Sequence, residues 1–319
     1  MRIVVLDGYT LNPGDNPWAE VERLGELTVY DRTAPDQIVP RALGAEIAVT
    51  NKTPLSADTI ARLPHLRFIA VLATGYNIVD VKAAVRRGIP VSNVPVYGTD
   101  SVAQFVFALL LEFCHRVALH DELVHRGEWQ ARGEFSFSAA PLVELAGRQM
   151  GIVGFGRIGR RVGELAHAFG MSVCAHDPLP GRVPDYRPFE WAGSIEQVFA
   201  HADVVSLHCP QTAENLRMVD ARLLALMKPQ AMLINTARGG LVNEADLAAA
   251  LKEGRIAGAA VDVVSEEPIR ADNPLLAAPR CRITPHIAWA TLAARQRLMH
   301  ATAENIAAFI AGRPVITVT

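Results

Sequence analysis

Short apolar runs rich in β-branched residues alternate along the chain with stretches whose apolar positions repeat at helical spacing. In the first half the runs fall at residues 3–6, 26–30, 46–50, 67–72 and, briefly, 91–92. Helical stretches fit between them: from Pro17 onward with Asn16 as cap, 35–43, 57–63 with Ser56 as cap, and 81–87 closed by Gly88. A long helix is then predicted over 101–125, stopping at Gly127, followed by an irregular loop over 128–147. The alternation resumes with strands at 149–153, 172–176, 204–207, 231–235, 257–263 and 281–283, and helices at 195–200, 221–226 and 244–253. A last amphipathic helix covers about 292–311. Strands that alternate with helices argue for parallel sheets joined by crossovers, so the chain reads as two α/β units in series.

The sharpest local signal follows the run Gln149-Met150-Gly151-Ile152-Val153, which leads into Gly154-Phe155-Gly156-Arg157-Ile158-Gly159. A helical stretch, a second strand and Asp177 come next, the acid 21 residues after Gly156. Each part has a task in binding a dinucleotide. Gly154 makes the turn, Gly156 lets the backbone approach a pyrophosphate, and Gly159 lets the helix pack on the sheet. The helix N-terminus faces the negative charge, and a carboxylate at Asp177 can accept hydrogen bonds from the adenosine ribose.

In an open parallel sheet, ligands bind outside the carboxyl ends of the strands. Arg238 stands just after strand 231–235, Glu267 after 257–263 and His286 after 281–283. A guanidinium, a carboxylate and an imidazole thus emerge on the edge that carries the glycine turn.

Bulk properties narrow the class. The 319 residues are half hydrophobic and one-fifth charged, enough for about two soluble domains. A net charge of −2 without a basic block argues against nucleic acid or an anionic membrane as partner. Four scattered cysteines form no C-x-x-C and read as reduced thiols, and no metal site is expected. The first residues read as a strand and not as a signal peptide, so a cytoplasmic protein is expected.

Taken together, Ala73-Thr74-Gly75-Tyr76-Asn77, the 154–159 turn, His208-Cys209-Pro210, Asn235 to Gly240, Glu267-Pro268 and Thr284-Pro285-His286-Ile287-Ala288-Trp289 resemble the D-isomer-specific 2-hydroxyacid dehydrogenases, most closely the glycerate dehydrogenase (hydroxypyruvate reductase) branch. The resemblance covers nearly the whole chain. It implies two Rossmann-like doubly wound domains: a discontinuous substrate-binding domain, 1–98 with 290–319, and an NAD-binding domain, 99–289, with a dimerisation arm over 101–148. The implied substrate is a small D-2-hydroxyacid or its 2-ketoacid, the implied assembly a homodimer, and the implied site an interdomain cleft.

Residue roles follow from the same resemblance. Arg238 would clamp the substrate carboxylate, His286 would exchange a proton with the carbonyl oxygen, and Glu267 would orient the imidazole and stabilise its cation. Leu72, Ala73, Thr74 and Gly75 would close on the substrate carboxylate. NAD contacts would come from Val102, Arg157, Ile158, Asp177, Cys209, Pro210, Thr236, Ala237 and Asp262, the last orienting the nicotinamide amide. Trp129 matches an arm position that in some relatives approaches the neighbouring subunit. Phe105 departs from the pattern, since relatives often carry histidine there. NAD is expected over NADP because Asp177 would repel a 2′-phosphate. Reduction of another 2-ketoacid such as pyruvate is the alternative within the fold. An NAD-sensing corepressor-like binding protein is the alternative from another class.

Overall fold

The computed structural model describes residues 1–313, 317 and 318. The chain divides into two compact units, Met1–Gly98 with Trp289–Thr319, and Thr99–Ala288.

The first unit is built on five parallel strands: β1 (Arg2–Val5), β2 (Glu26–Val29), β3 (Ile47–Thr50), β4 (Phe68–Val71) and β5 (Val91–Ser92), in spatial order β2-β1-β3-β4-β5. Helices α1 (Ala19–Glu22), α2 (Ile38–Ala42), α3 (Ala57–Ala61) and α4 (Val81–Arg86) connect them. Every residue of β3 and β4 is buried, which explains why these strands read as continuous apolar runs. The last helix of the chain, Leu292–Ile310, covers one face of this sheet, where Phe309 stacks on Phe68 with ring centroids 4.5 Å apart. Ser56 caps α3 as its sequence indicates, accepting the amide of Thr59. Asn16 is no cap: α1 begins only at Ala19, and the buried Asn16 amide donates instead to the Leu11 carbonyl at 3.1 Å.

The second unit opens with α5 (Thr99–His115), α6 (Val117–His125) and α7 (Glu128–Arg132). Seven parallel strands follow: β6 (Gln149–Val153), β7 (Ser172–His176), β8 (Phe189–Trp191), β9 (Val204–Leu207), β10 (Met232–Asn235), β11 (Gly258–Val261) and β12 (Cys281–Ile283). Their spatial order is β12-β11-β10-β9-β6-β7-β8. Helices α8 (Arg157–Ala168), α9 (Ile195–His201), α10 (Ala221–Leu226) and α11 (Glu244–Lys252) alternate with them, and the Leu292–Ile310 helix of the first unit is α12. Two apolar clusters lie on this sheet, one holding residues of α5 and α8, the other residues of α9, α10 and α11.

Three expectations need correction here. The single helix over 101–125 is two, α5 and α6, meeting at 51° because Arg116 adopts a left-handed conformation (φ 47°, ψ 44°). The apolar stripe belongs to α5, which buries nine residues, whereas α6 buries none. The loop over 128–147 contains one helical turn, α7, bounded by Gly127 and Gly133, both at positive φ. Strand β8 was absent from the sequence pattern. Its three residues are held by pairing with β7, and no alternation that short stands out on its own. Among the described residues no single helix is long and apolar enough to cross a membrane.

Candidate active site

The strand order of the second unit reverses between β6 and β9, and two of the sequence signals meet there. Gly154, just after β6, has φ +90°, and a Cβ on it would lie 2.4 Å from the Cys209 backbone nitrogen at the end of β9. Only glycine allows both that dihedral and that approach. A Cβ on Gly156 would meet nothing within 4 Å, and one on Gly159 would lie 2.2 Å from the Gly154 carbonyl oxygen. Gly156 begins α8 with no side-chain cap, so the positive end of this 12-residue helix stays open to an external anion. Arg157 is exposed and Ile158 half-buried beside it.

Asp177 follows β7. Its carboxylate accepts the amide of Phe155 at 2.8 Å and that of Leu179 at 3.0 Å, so it is held against the glycine turn with lone pairs to spare. Across the switch point, Cys209 is half-buried and burial pushes its thiol up to about 11, which leaves it an unreactive wall. Pro210 is exposed, and Val102 is buried on α5. The Thr236 hydroxyl is buried without a hydrogen-bond partner among the described residues, and Ala237 donates its amide to Asn235 Oδ1 at 3.0 Å. An uncapped helix start, open space over Gly156 and an orphaned hydroxyl at Thr236 together fit a bound dinucleotide.

Arg238 leaves the sheet after β10. Asn235, wholly buried, braces its turn by donating Nδ2 to the Arg238 carbonyl at 2.9 Å. A Cβ on Gly239 would stand 1.9 Å from the Val264 carbonyl carbon, so this turn packs directly on the segment that leads to Glu267. The Arg238 guanidinium is exposed. Glu267 accepts the Val264 amide at 3.3 Å through Oε1, and its Oε2 lies 2.7 Å from His286 Nδ1. His286 follows β12 in a left-handed conformation, φ 54°, uncommon for a residue with a side chain.

What holds that conformation is Asp262 at the end of β11. Its carbonyl accepts the His286 amide at 2.8 Å. Its carboxylate accepts the Thr284 hydroxyl at 2.7 Å and the amides of Ile287 and Ala288 at 2.9 and 2.8 Å. Burial raises the Asp262 pKa above the ordinary carboxylate value, and these three bonds oppose the rise. The structure therefore joins Glu267 to His286 directly and puts Arg238 on the same sheet edge, two strands away.

Residues 72–75 belong to the first unit, where they follow β4. Leu72 is buried, Ala73 and Gly75 half-buried and Thr74 exposed. Trp129 on α7 is 46% exposed and donates Nε1 to the Glu134 carbonyl, while Phe105 is half-buried against the α5–α8 cluster. Sequence reasoning passed over Asn235 and the turn-holding bonds of Asp262. An asparagine that ends a strand three residues before an arginine is the only signal for the first, and none exists for the second.

Residues 107–288 match the family profile described as the D-isomer specific 2-hydroxyacid dehydrogenase, NAD binding domain. The chain is 46% identical over 318 residues to a hydroxypyruvate reductase of Blautia hydrogenotrophica, covering 99% of this chain and 98% of that protein. It is 40% identical over 316 residues to a glycerate dehydrogenase of Methylorubrum extorquens, covering 98% and 97%. Its fold is similar to that of SmGhrB of Sinorhizobium meliloti, an NADPH-dependent glyoxylate/hydroxypyruvate reductase solved with NADP and malonate. There the TM-score is 0.81 at 29% identity, with 99% of this chain and 95% of the other covered. A two-sheet α/β architecture, a glycine turn at a switch point and matches of this length lead to one statement: the chain belongs to the D-isomer specific 2-hydroxyacid dehydrogenase family.

Proposed function

We propose that the protein interconverts D-glycerate and hydroxypyruvate with NAD(H), and reduces glyoxylate as well. The observation that carries this reading is the 2.7 Å contact between His286 Nδ1 and Glu267 Oε2, on the edge that also bears Arg238 and the 154–159 turn. Relatives named hydroxypyruvate reductase and glycerate dehydrogenase support the choice of substrate.

Gly154, Gly156, Arg157, Ile158, Gly159, Asp177, Thr236 and Ala237 would hold the nucleotide, with Val102, Cys209, Pro210 and Asp262 beside it. The cofactor, when bound, supplies or takes up the hydride. Arg238 holds the substrate carboxylate through a planar two-pronged guanidinium. Residues 72–75 would offer backbone amides to a substrate carboxylate. With Nδ1 committed to Glu267, His286 keeps Nε2 for the proton of the substrate oxygen, giving it up in reduction and accepting it in oxidation. Glu267 sets that tautomer and steadies the imidazolium.

Asp177 favours NAD over NADP. Its carboxylate is pinned by two amides and cannot swing away from a 2′-phosphate. Arg182, close by in sequence, is paired at 3.0 Å with Asp185. The exposed apolar side chains of the arm, Phe135 at 94% and Leu142 at 59%, support assembly as a homodimer through residues 101–148, and the four free thiols suit the cytoplasm.

The test is steady-state consumption of NADH by the purified protein with hydroxypyruvate, glyoxylate and pyruvate. The highest kcat/KM is expected for hydroxypyruvate. Absence of turnover with every 2-ketoacid would leave a nucleotide-binding protein and end this reading.

A further inference from the structure

The order β2-β1-β3-β4-β5 also has a switch point, between β1 and β3, and in such sheets the crevice there commonly receives a ligand. Here the chain fills it with its own acid. Asp7, 8% exposed, follows β1 and accepts three successive amides from the turn after β3: Asn51 at 2.8 Å through Oδ1, Lys52 at 2.5 Å and Thr53 at 2.7 Å through Oδ2. Thr50 closes the turn from the other side, donating its hydroxyl to the Thr53 carbonyl at 2.7 Å. Consecutive amides aimed at one anion form a backbone nest, and an internal carboxylate makes this one rigid.

The output of that rigidity is the side chain of Asn51. It is 3% exposed, and its Nδ2 donates to the Leu72 carbonyl, at the end of β4, at 2.6 Å. The next two carbonyls are tied down as well. Ala73 accepts the Val94 amide at 3.0 Å, and Thr74 accepts Asn93 Nδ2 at 2.7 Å. In a trans peptide the N–H points opposite to the preceding C=O. Carbonyl 72 is held from the β3 side and carbonyls 73 and 74 from the β5 side, which fixes the directions of the amides of Ala73, Thr74 and Gly75, and among the described residues none accepts from them. Asn51 Oδ1, meanwhile, is buried without a partner among the described residues. An amide kept in the core at that cost to stability is poorly explained by packing alone.

We propose that Asp7 and Asn51 are positioning residues for substrate binding: through the Asp7-held turn, Asn51 sets the orientation in which residues 73–75 present their amides to the substrate carboxylate. This rests on the function proposed above and adds two residues that touch neither substrate nor cofactor.

The test uses the full-length Asp7→Asn and Asn51→Ala variants, with KM and kcat for hydroxypyruvate, oxalate affinity by calorimetry, NADH affinity by fluorescence and Tm. The positioning role raises KM and the oxalate Kd by about tenfold, the worth of one hydrogen bond, with kcat and NADH affinity little changed. A merely structural role lowers Tm and leaves KM where it was. Unchanged KM and oxalate affinity in a folded Asn51→Ala protein overturn the proposal, and that variant decides alone should Asp7→Asn not fold. A wild-type protein with no ketoacid turnover would overturn the proposed function instead. Oxalate binding that the variants weaken would still carry the positioning role.

Discussion

Asp262 holds the turn of His286 from both its backbone and its side chain, taking the His286 amide on its carbonyl and the Ile287 and Ala288 amides on its carboxylate. A histidine at φ 54° persists only where its surroundings over-determine it. In Asp262→Asn one acceptor oxygen becomes a donor facing an amide, at a cost of ~1–3 kcal/mol. We expect a lower Tm and a kcat reduced about tenfold as the ring drifts from Glu267. Should the residue serve the nicotinamide alone, NADH affinity would fall while the histidine ring resonances kept their wild-type positions.

His286→Gln should lower kcat by about 10²–10⁴, the usual contribution of a positioned acid, with NADH affinity retained. In the proposed role, ketoacid reduction would consume the imidazolium and hydroxyacid oxidation the neutral imidazole, so the loss should appear in both directions. Wild-type turnover in the variant in either direction would remove His286 from its role.

The 2′-phosphate of NADP would meet the Asp177 carboxylate that Phe155 and Leu179 hold in place. Asp177→Ala should shrink the ratio of kcat/KM for NADH over NADPH by about tenfold or more, since an unscreened like charge at close range costs over 1 kcal/mol. A wild-type enzyme indifferent to the two cofactors would contradict the assignment.

His208, whose Nε2 lies 2.8 Å from the fully buried Ser206 hydroxyl, has its pKa pulled down to about 3 by burial. The unfolded chain, near 6.5, therefore binds a proton that the folded protein excludes between these values. Stability from this group is present above pH 6.5 and is lost as pH falls, by at most about 1.4 kcal/mol per unit, the limit for uptake of one proton. Urea unfolding of the wild type and His208→Asn at pH about 7 and about 5 measures it. Equal slopes in the two proteins would refute it.

Local chemistry made much of this molecule legible. The turn at Gly154, the helix after Gly156 and the strand ends that carry Arg238, Glu267 and His286 each depend on residues within a few positions, where periodicity and turn preference act directly. Strand order does not act that way, and it decided the rest. It set Asp7 against amides 44 to 46 residues away, and it placed Asp262 beneath a turn reached 26 residues later. It gave β8 a partner, and left-handed geometry at Arg116 split one apparent helix into two. These are bonds between groups that the chain keeps apart and only a folded sheet edge brings within 3 Å, so no window of residues could have announced them.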